Sequence, residues 1–339
     1  MRIFITMVAL CVLPIAGYAQ QISVVDPIGQ TTVYTDLNTA IYEAPAGSMV
    51  YLSGGGFAIN DTSKITKPLT IMGIGHRFDN DNADGSTIVS GNIFFNPGSD
   101  GSALLGIHLS GNVNIGGAYN GIPVNNILLR FCNVASVIVT NSYCQNVHIN
   151  QNYVRNNIGG TSTNSVRPPL YVSNNITGSI TWISAGVIEH NVIRNGTNSN
   201  YYDYITNSHI KNNISFKNSS NAWALGGACT GNVISNNMVV GTAANIATLS
   251  LYGNNCLSSL LTGAFLGTVF DIDPVNNFHL KETCVGKNAA TDGTDIGIYG
   301  GTGFSDKALP PGPRIIFKKV AHQTDHDGNL PVEIKVSVE

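Results

Sequence analysis

Charged side chains make up only 11% of the 339 residues, and the formal net charge is −3. With so few cations, no patch is expected that would neutralise a phosphate backbone, and nucleic acid is not an expected partner. Acids are rarer still in the middle of the chain. From Gly101 to Phe270 the only carboxylates are Glu189 and Asp203. Glycosidic hydrolysis needs a proton donor and a second carboxylate, so this span offers at most one such pair and no spare acid for a metal. No C-x-x-C or His spacing suggests zinc. Amphipathic helical stripes are also missing, apart from a short one at Leu37–Glu43. Low charge would suit disorder, but 43% hydrophobic residues in short β-branched runs argue for packed strands.

Long apolar runs are limited to one, Ile3 to Ala16, which follows Arg2 and precedes the small residues Gly17 and Ala19. That is the pattern of a secretory signal peptide over residues 1–19, cleaved after Ala19. The run is shorter than the roughly 20 residues a bilayer span needs, and no other stretch reads as transmembrane. Leu10 before Cys11 is not the small residue a lipidation site wants. The expected location is outside the cytoplasm: extracellular, periplasmic or on the cell surface.

What the chain does contain is a repeat. Asn133, Asn152, Asn175, Asn191, Asn213 and Asn237 recur 16 to 24 residues apart. An apolar residue follows each, and an aliphatic residue stands three positions before in all cases but one, where Arg130 breaks the rule. Two short apolar strands around a polar corner at this period are the signature of a β-solenoid. The solenoid is expected over 46–301, with coils weakening towards Phe278–Leu280 and Ile296–Tyr299. Residues 20–45 form a cap, because a terminal coil otherwise exposes an apolar cross-section and open strand edges. Residues 302–339 read as a Pro-rich linker and an appended β-hairpin. The recurring asparagine is read as the left-handed corner residue, its amide passing hydrogen bonds from coil to coil in a structural ladder.

After the signal segment the cysteines are Cys132, Cys144, Cys229, Cys256 and Cys284, an odd number that leaves at least one unpaired or intermolecular. Cys229–Cys256 and Cys256–Cys284 are alternative bridges between neighbouring coils. Buried free thiols are the other reading.

Three stretches carry a family resemblance: KPLTIMGIG (Lys67–Gly75) with STIVSGNIFF and GSDGSALLGIHLSG (Gly98–Gly111); the SNNI, KNNI and SNNM corners; and NNFHLKETCVGKNAATDGTDIGIYGG (Asn276–Gly301). Together they resemble the pectin-lyase-like superfold, in particular secreted versions from Bacteroidetes-type bacteria. The last stretch is similar to that family's terminal pattern of an aromatic-His-Leu step, small residues, then Asp-Ile-Gly, and departs from it at Cys284-Val285. The resemblance covers roughly residues 45–301. It implies an all-β, single-stranded right-handed parallel β-helix with the C-terminal hairpin as an extension. It constrains activity little, because the superfold hosts many functions. Lyase members are expected to hold calcium on clustered acids and to use Arg or Lys as base, and hydrolase members to use clustered carboxylates. The sparse acids here depart from both patterns.

One cluster of candidate site residues remains. Glu189 lies two residues before its corner asparagine and Lys211 holds the same place one coil later, a register that stacks them about 4.8 Å apart. Arg155 and Arg194 share another column. With Trp182, Tyr201 and Tyr202 nearby, Glu189, Arg194 and Lys211 form a candidate sugar-binding face of aromatic platforms beside charged groups. A surface ion pair with covering aromatics is the bland alternative. No catalytic residue is assigned. Asp79, Asp81 and Asp84 precede Gly85, but Ala83 occupies the third ligand place of a calcium loop. No metal site is therefore assigned, and Ca2+ is the one cofactor left open. The functional reading is an exported, non-catalytic β-helix that binds polysaccharide or another surface component. The alternatives are a polysaccharide lyase or glycoside hydrolase with an atypical site near Glu189, Arg194 and Lys211, and a structural or adhesive envelope protein.

Overall fold

Short β-branched runs separated by corner residues cannot form stable sheets alone, so each must pair with the equivalent run one repeat away. The computed structural model describes residues 21–61, 63–76, 85–117, 121–162, 166–194, 202–216, 229–241, 257–260, 278–305, 309–310, 313–321, 323–324 and 326–338. Its main sheet has 11 strands. From Ser48–Leu52 through Leu69–Met72, Ala103–Leu105, Leu128–Arg130, Val147–Asn150, Leu170–Ser173, Val187–Glu189 and His209–Lys211 to Val233–Ser235, successive strands are parallel. A second sheet takes the strand that follows each corner, including Asn133–Val134, Tyr153–Gly159, Ile176–Thr181, Val192–Ile193 and Ile214–Phe216. Alternation sends Ile71, Leu104, Leu129, Ile149, Val172, Ile188 and Ile210 into the interior, where they stack in a buried column. The chain is an all-β, single-stranded parallel β-helix.

The N-terminal end is closed by antiparallel pairing. Ile22–Val25 lies between Thr31–Tyr34 and Ser48–Leu52. The helix Leu37–Glu43 buries Leu37, Ala40 and Ile41, and Asp36 caps it by accepting from the Thr39 N–H. Among the described residues no helix is long and apolar enough to cross a membrane.

The corner asparagines form the expected ladder, with one change of membership. The Nδ2 of Asn152, Asn175, Asn191 and Asn213 each donates to the Oδ1 of the next asparagine, ending on Asn237, at 2.9–3.0 Å. Each Nδ2 also donates to carbonyls of its own and the preceding coil, as Asn191 does to Glu189 and Val172. Asn133 is not part of the column. Cys132 holds that place: its N–H donates to Asn152 Oδ1, and its thiol points at the Arg130 and Leu104 carbonyls. With Cys132 in the column, the aliphatic residue three before is Leu129, and the exception at Arg130 disappears. The left-handed residue is also not the ladder asparagine but the one before it. Phe131, Gln151, Asn174, His190, Asn212 and Asn236 have φ between 48° and 58°.

That left-handed column does a second job, because its side chains point outward and hold the closing segment. Phe278–Leu280 and Ile296–Tyr299 are not further coils. Residues 278–304 run back along the outside of the second sheet and seal its column Ile176, Val192, Ile214 and Met238 under Phe278, Leu280, Ile296 and Ile298. Asn236 donates to the Ala289 carbonyl, Asn212 to Thr291, Asn174 to the Ile298 and Gly300 carbonyls, and Gln151 to the Gly303 carbonyl. As residue numbers rise along the segment, the corners it touches fall. The Asp-Ile-Gly triplet acquires a physical meaning here. Asp295 ties Lys287 and the Asn288 N–H, and Ile296 is buried. Gly297 has φ +93°, and a Cβ there would lie 2.4 Å from Ile214.

The C-terminal strands Pro313–Val320 and Val332–Val338 pair antiparallel as a hairpin, with Val332, Ile334 and Val336 about half exposed. Cys132, Cys144 and Cys284 are free thiols, and Cys256 lies outside the described residues.

Candidate functional site

The coil's geometry decides which of the candidate residues can meet. On the outer face of the main sheet, Glu189 pairs across the rung with Lys211, and Glu189 Oε2 lies 3.0 Å from Lys211 Nζ. The two side chains are 31% and 35% exposed. Solvent at that level screens the attraction, and such a pair contributes about 0–1 kcal/mol. The rung therefore carries one charge of each sign. One column over on the same face, the His148 and Tyr171 rings stack 4.6 Å apart, and burial holds the His148 imidazole below its ordinary pKa.

A second cluster stands where the second sheet's strands turn back towards the main sheet. Trp182 and Tyr204 stack with ring centroids 3.8 Å apart and planes within 10°. Both have left-handed backbones, φ 59° and 54°, a conformation that costs a bulky L-residue roughly 1–2 kcal/mol. The Arg167 guanidinium lies 5.5 Å from one ring centroid and 5.4 Å from the other. Its NH1 reaches Thr206 Oγ1 at 3.4 Å, whereas its buried Nε–H finds no acceptor among the described residues. A ring pair edged by a cation offers apolar surface beside a positive charge.

Arg194 lies on neither face. It projects from the outer side of the second sheet, beyond the asparagine corner, with NH1 3.5 Å from the Tyr153 hydroxyl. Arg155, two residues beyond Tyr153, donates to Asn133 Oδ1 at 2.6 Å and to the Leu109 and Ser110 carbonyls. Burial pulls both guanidinium pKa values down and pushes the Tyr153 phenol up, the two arginines partly opposing that rise.

The proposed single face of Trp182, Glu189, Arg194, Tyr201, Tyr202 and Lys211 is therefore divided. Glu189 and Lys211 share the main sheet, Trp182 stands at a corner and Arg194 is on the second sheet. Tyr202 pairs with Ile180 and, like it, points into the core, where it is fully buried. Tyr201 lies outside the described residues, as do Asp79, Asp81 and Asp84. Among the described residues no group of three His, Cys, Asp or Glu side chains could hold a metal.

Sequence reasoning missed Tyr204 and Arg167. Tyr204 had a signal: Trp182-Ile183-Ser184 and Tyr204-Ile205-Thr206 stand at the same offset before Asn191 and Asn213. Arg167 had none, because its contacts are set by a loop that the repeat does not index. No protein-family model, curated protein or solved structure matches the chain.

Proposed function

We propose that the protein is an exported binding solenoid, non-catalytic, whose ligand is a polysaccharide or another extracellular component. The observation that carries this reading is the Trp182–Tyr204 pair with Arg167 at its edge. Two aromatics held in a left-handed backbone and stacked at one corner present apolar ring edges beside a cation, chemistry suited to a sugar's mixed apolar and hydroxyl surface. The distribution of acids supports the same reading. Glu189 is on the main sheet and held by Lys211, while Asp203 pairs with Thr181 in the second sheet, so the two carboxylates of the central coils do not face each other. A hydrolase needs two carboxyl groups about 5–9.5 Å apart across one bond. The signal-like N-terminus and the resemblance to the pectin-lyase-like superfold belong to this proposal.

Arraying the purified protein against neutral and acidic glycans tests the reading. Retention of at least one polysaccharide class is expected, weakened by Trp182→Ala combined with Tyr204→Ala. No retention by any glycan, in any salt or divalent-ion condition, would remove the reading.

A further inference from the structure

The solenoid carries its charge unevenly. Between Gly101 and Phe270 there are six Lys and Arg residues (Arg130, Arg155, Arg167, Arg194, Lys211 and Lys217) against the two carboxylates Glu189 and Asp203, although the whole chain is net negative. Glu189 pairs with Lys211. Among the described residues, no carboxylate lies within ion-pair distance of any of the four arginines. Structure accounts for the donors of two of them. Arg130 places Nε and NH2 on Gln151 Oε1 and stacks over Phe131. Arg155 spends its two terminal nitrogens on Asn133 and two carbonyls. Arg167 belongs to the aromatic corner.

Arg194 is different. Its only hydrogen bond among the described residues is the long one to the Tyr153 hydroxyl, so most of its donor fork meets no acceptor among them. Tyr153 orients it from two coils away, and Arg155, two residues beyond Tyr153, adds a second positive charge near that tyrosine, its guanidinium turned back to the Leu109 and Ser110 carbonyls. The coil between contributes Gly178, opposite the bulge that Arg155 and Asn156 make in their strand. That glycine is fixed by packing, since a Cβ there would lie 2.4 Å from the Asn156 carbonyl oxygen. A guanidinium presents a planar set of donors that matches the oxygens of a carboxylate or sulfate, and partial burial strengthens such a contact.

We propose that Arg194, positioned by Tyr153 and backed by the charge of Arg155, binds the oxyanion of an acidic polysaccharide, a carboxylate or a sulfate. This rests on the polysaccharide-binding reading and narrows it to anionic polymers. The site lies on the second sheet, apart from the Trp182–Tyr204 corner.

Affinity electrophoresis of the full chain through gels containing hyaluronan, dextran sulfate or neutral dextran tests it. Wild type is expected to be retarded by at least one anionic polymer, less so as salt rises, and Arg194→Ala to weaken that retardation by about 10- to 100-fold in affinity. Arg194→Lys, which keeps the charge and the stem but not the fork, is expected to fall between the two and covers the case in which the alanine variant fails to fold. Lys335→Ala in the hairpin should match wild type. Hyaluronan alone, dextran sulfate alone, or both, then identify the oxyanion. Equal retardation by neutral dextran, or an unchanged affinity in both Arg194 variants, overturns the anion site while leaving the broader binding reading standing. Retardation by none of the polymers, with a neutral glycan retained in the array, also overturns the anion site. Retention nowhere removes both.

Discussion

Asn212 grips Thr291 twice: its Nδ2 donates to the threonine hydroxyl and its Oδ1 accepts from the threonine N–H, each at 2.9 Å. The residue that turns the corner of one coil thus also anchors a segment 79 positions further along the chain. Replacing it separates these two jobs. Asn212→Gly keeps the left-handed backbone (φ 58°) but loses both bonds, and is expected to cost about 1–3 kcal/mol. Asn212→Ala adds the left-handed penalty and should cost more. Urea unfolding midpoints check the order. If glycine is as stable as wild type, the corner does not hold the segment.

The ladder stops at Cys132, which suggests an extension. An asparagine at that place would meet the same acceptors, the Arg130 and Leu104 carbonyls, and could donate onward to Asn152 Oδ1. Cys132→Asn is expected to be neutral or to stabilise by about 0.5–1.5 kcal/mol, whereas Asn191→Ala should be among the most damaging single changes, since it strands two carbonyls and removes the acceptor of Asn175. Thermal melts of the two variants decide. A Cys132→Asn protein that melts well below wild type would contradict this reading of the column.

Asp292 touches His190 Nε2 at 3.1 Å. Burial pushes its carboxyl pKa up, but the hydrogen bonds from Thr294 and the contact with His190 outweigh this and hold it below the ordinary range. A carboxyl lowered in the folded state contributes stability that is present above its unfolded value, about 3.9, and is lost as pH falls through the folded one. Asp292→Asn should therefore be less stable than wild type at neutral pH, with the gap closing as pH drops below about 4. Denaturant midpoints across that range read it. A gap that is constant or widens in acid counts against the link.

Burial pushes the Cys132 thiol up to about 12 and the Cys144 thiol up to about 11. The reactive species is the thiolate, so neither should react with a disulfide reagent at pH 8 in the native protein, and both should react after unfolding. Mass mapping of the modified peptides shows which occurs. Native labelling of either at the rate of an exposed thiol is the contrary result.

Much of the coil was legible because the corner fixes the register. Glu189 and Lys211 share an offset from the ladder, and that offset places them across one rung. The same offsets relate Trp182 to Tyr204 and His148 to Tyr171, so both stacks could have been found by aligning coils rather than by looking for nearby aromatics. Arg130 also carried information: an exception to the pattern marked the displaced column at Cys132. Tyr202 was misplaced because strand alternation, not residue type, sends it inward. The closing segment was illegible for a different reason. Asn174 and Ile298 are 124 residues apart, and nothing in a local period encodes so distant a contact. Site chemistry was the least legible, since Arg167 meets Trp182, Tyr204 and Thr206 from a loop that the repeat does not index.

A solenoid with the proposed function holds its polymer and leaves it intact. The most direct measurement follows both events in one sample, incubating the protein with neutral and acidic polysaccharides and recording bound fraction together with new reducing or unsaturated ends. Retention with no new ends is the expected result. Ends that accumulate with time and enzyme concentration, and vanish in Lys211→Ala or Arg194→Ala, would contradict it.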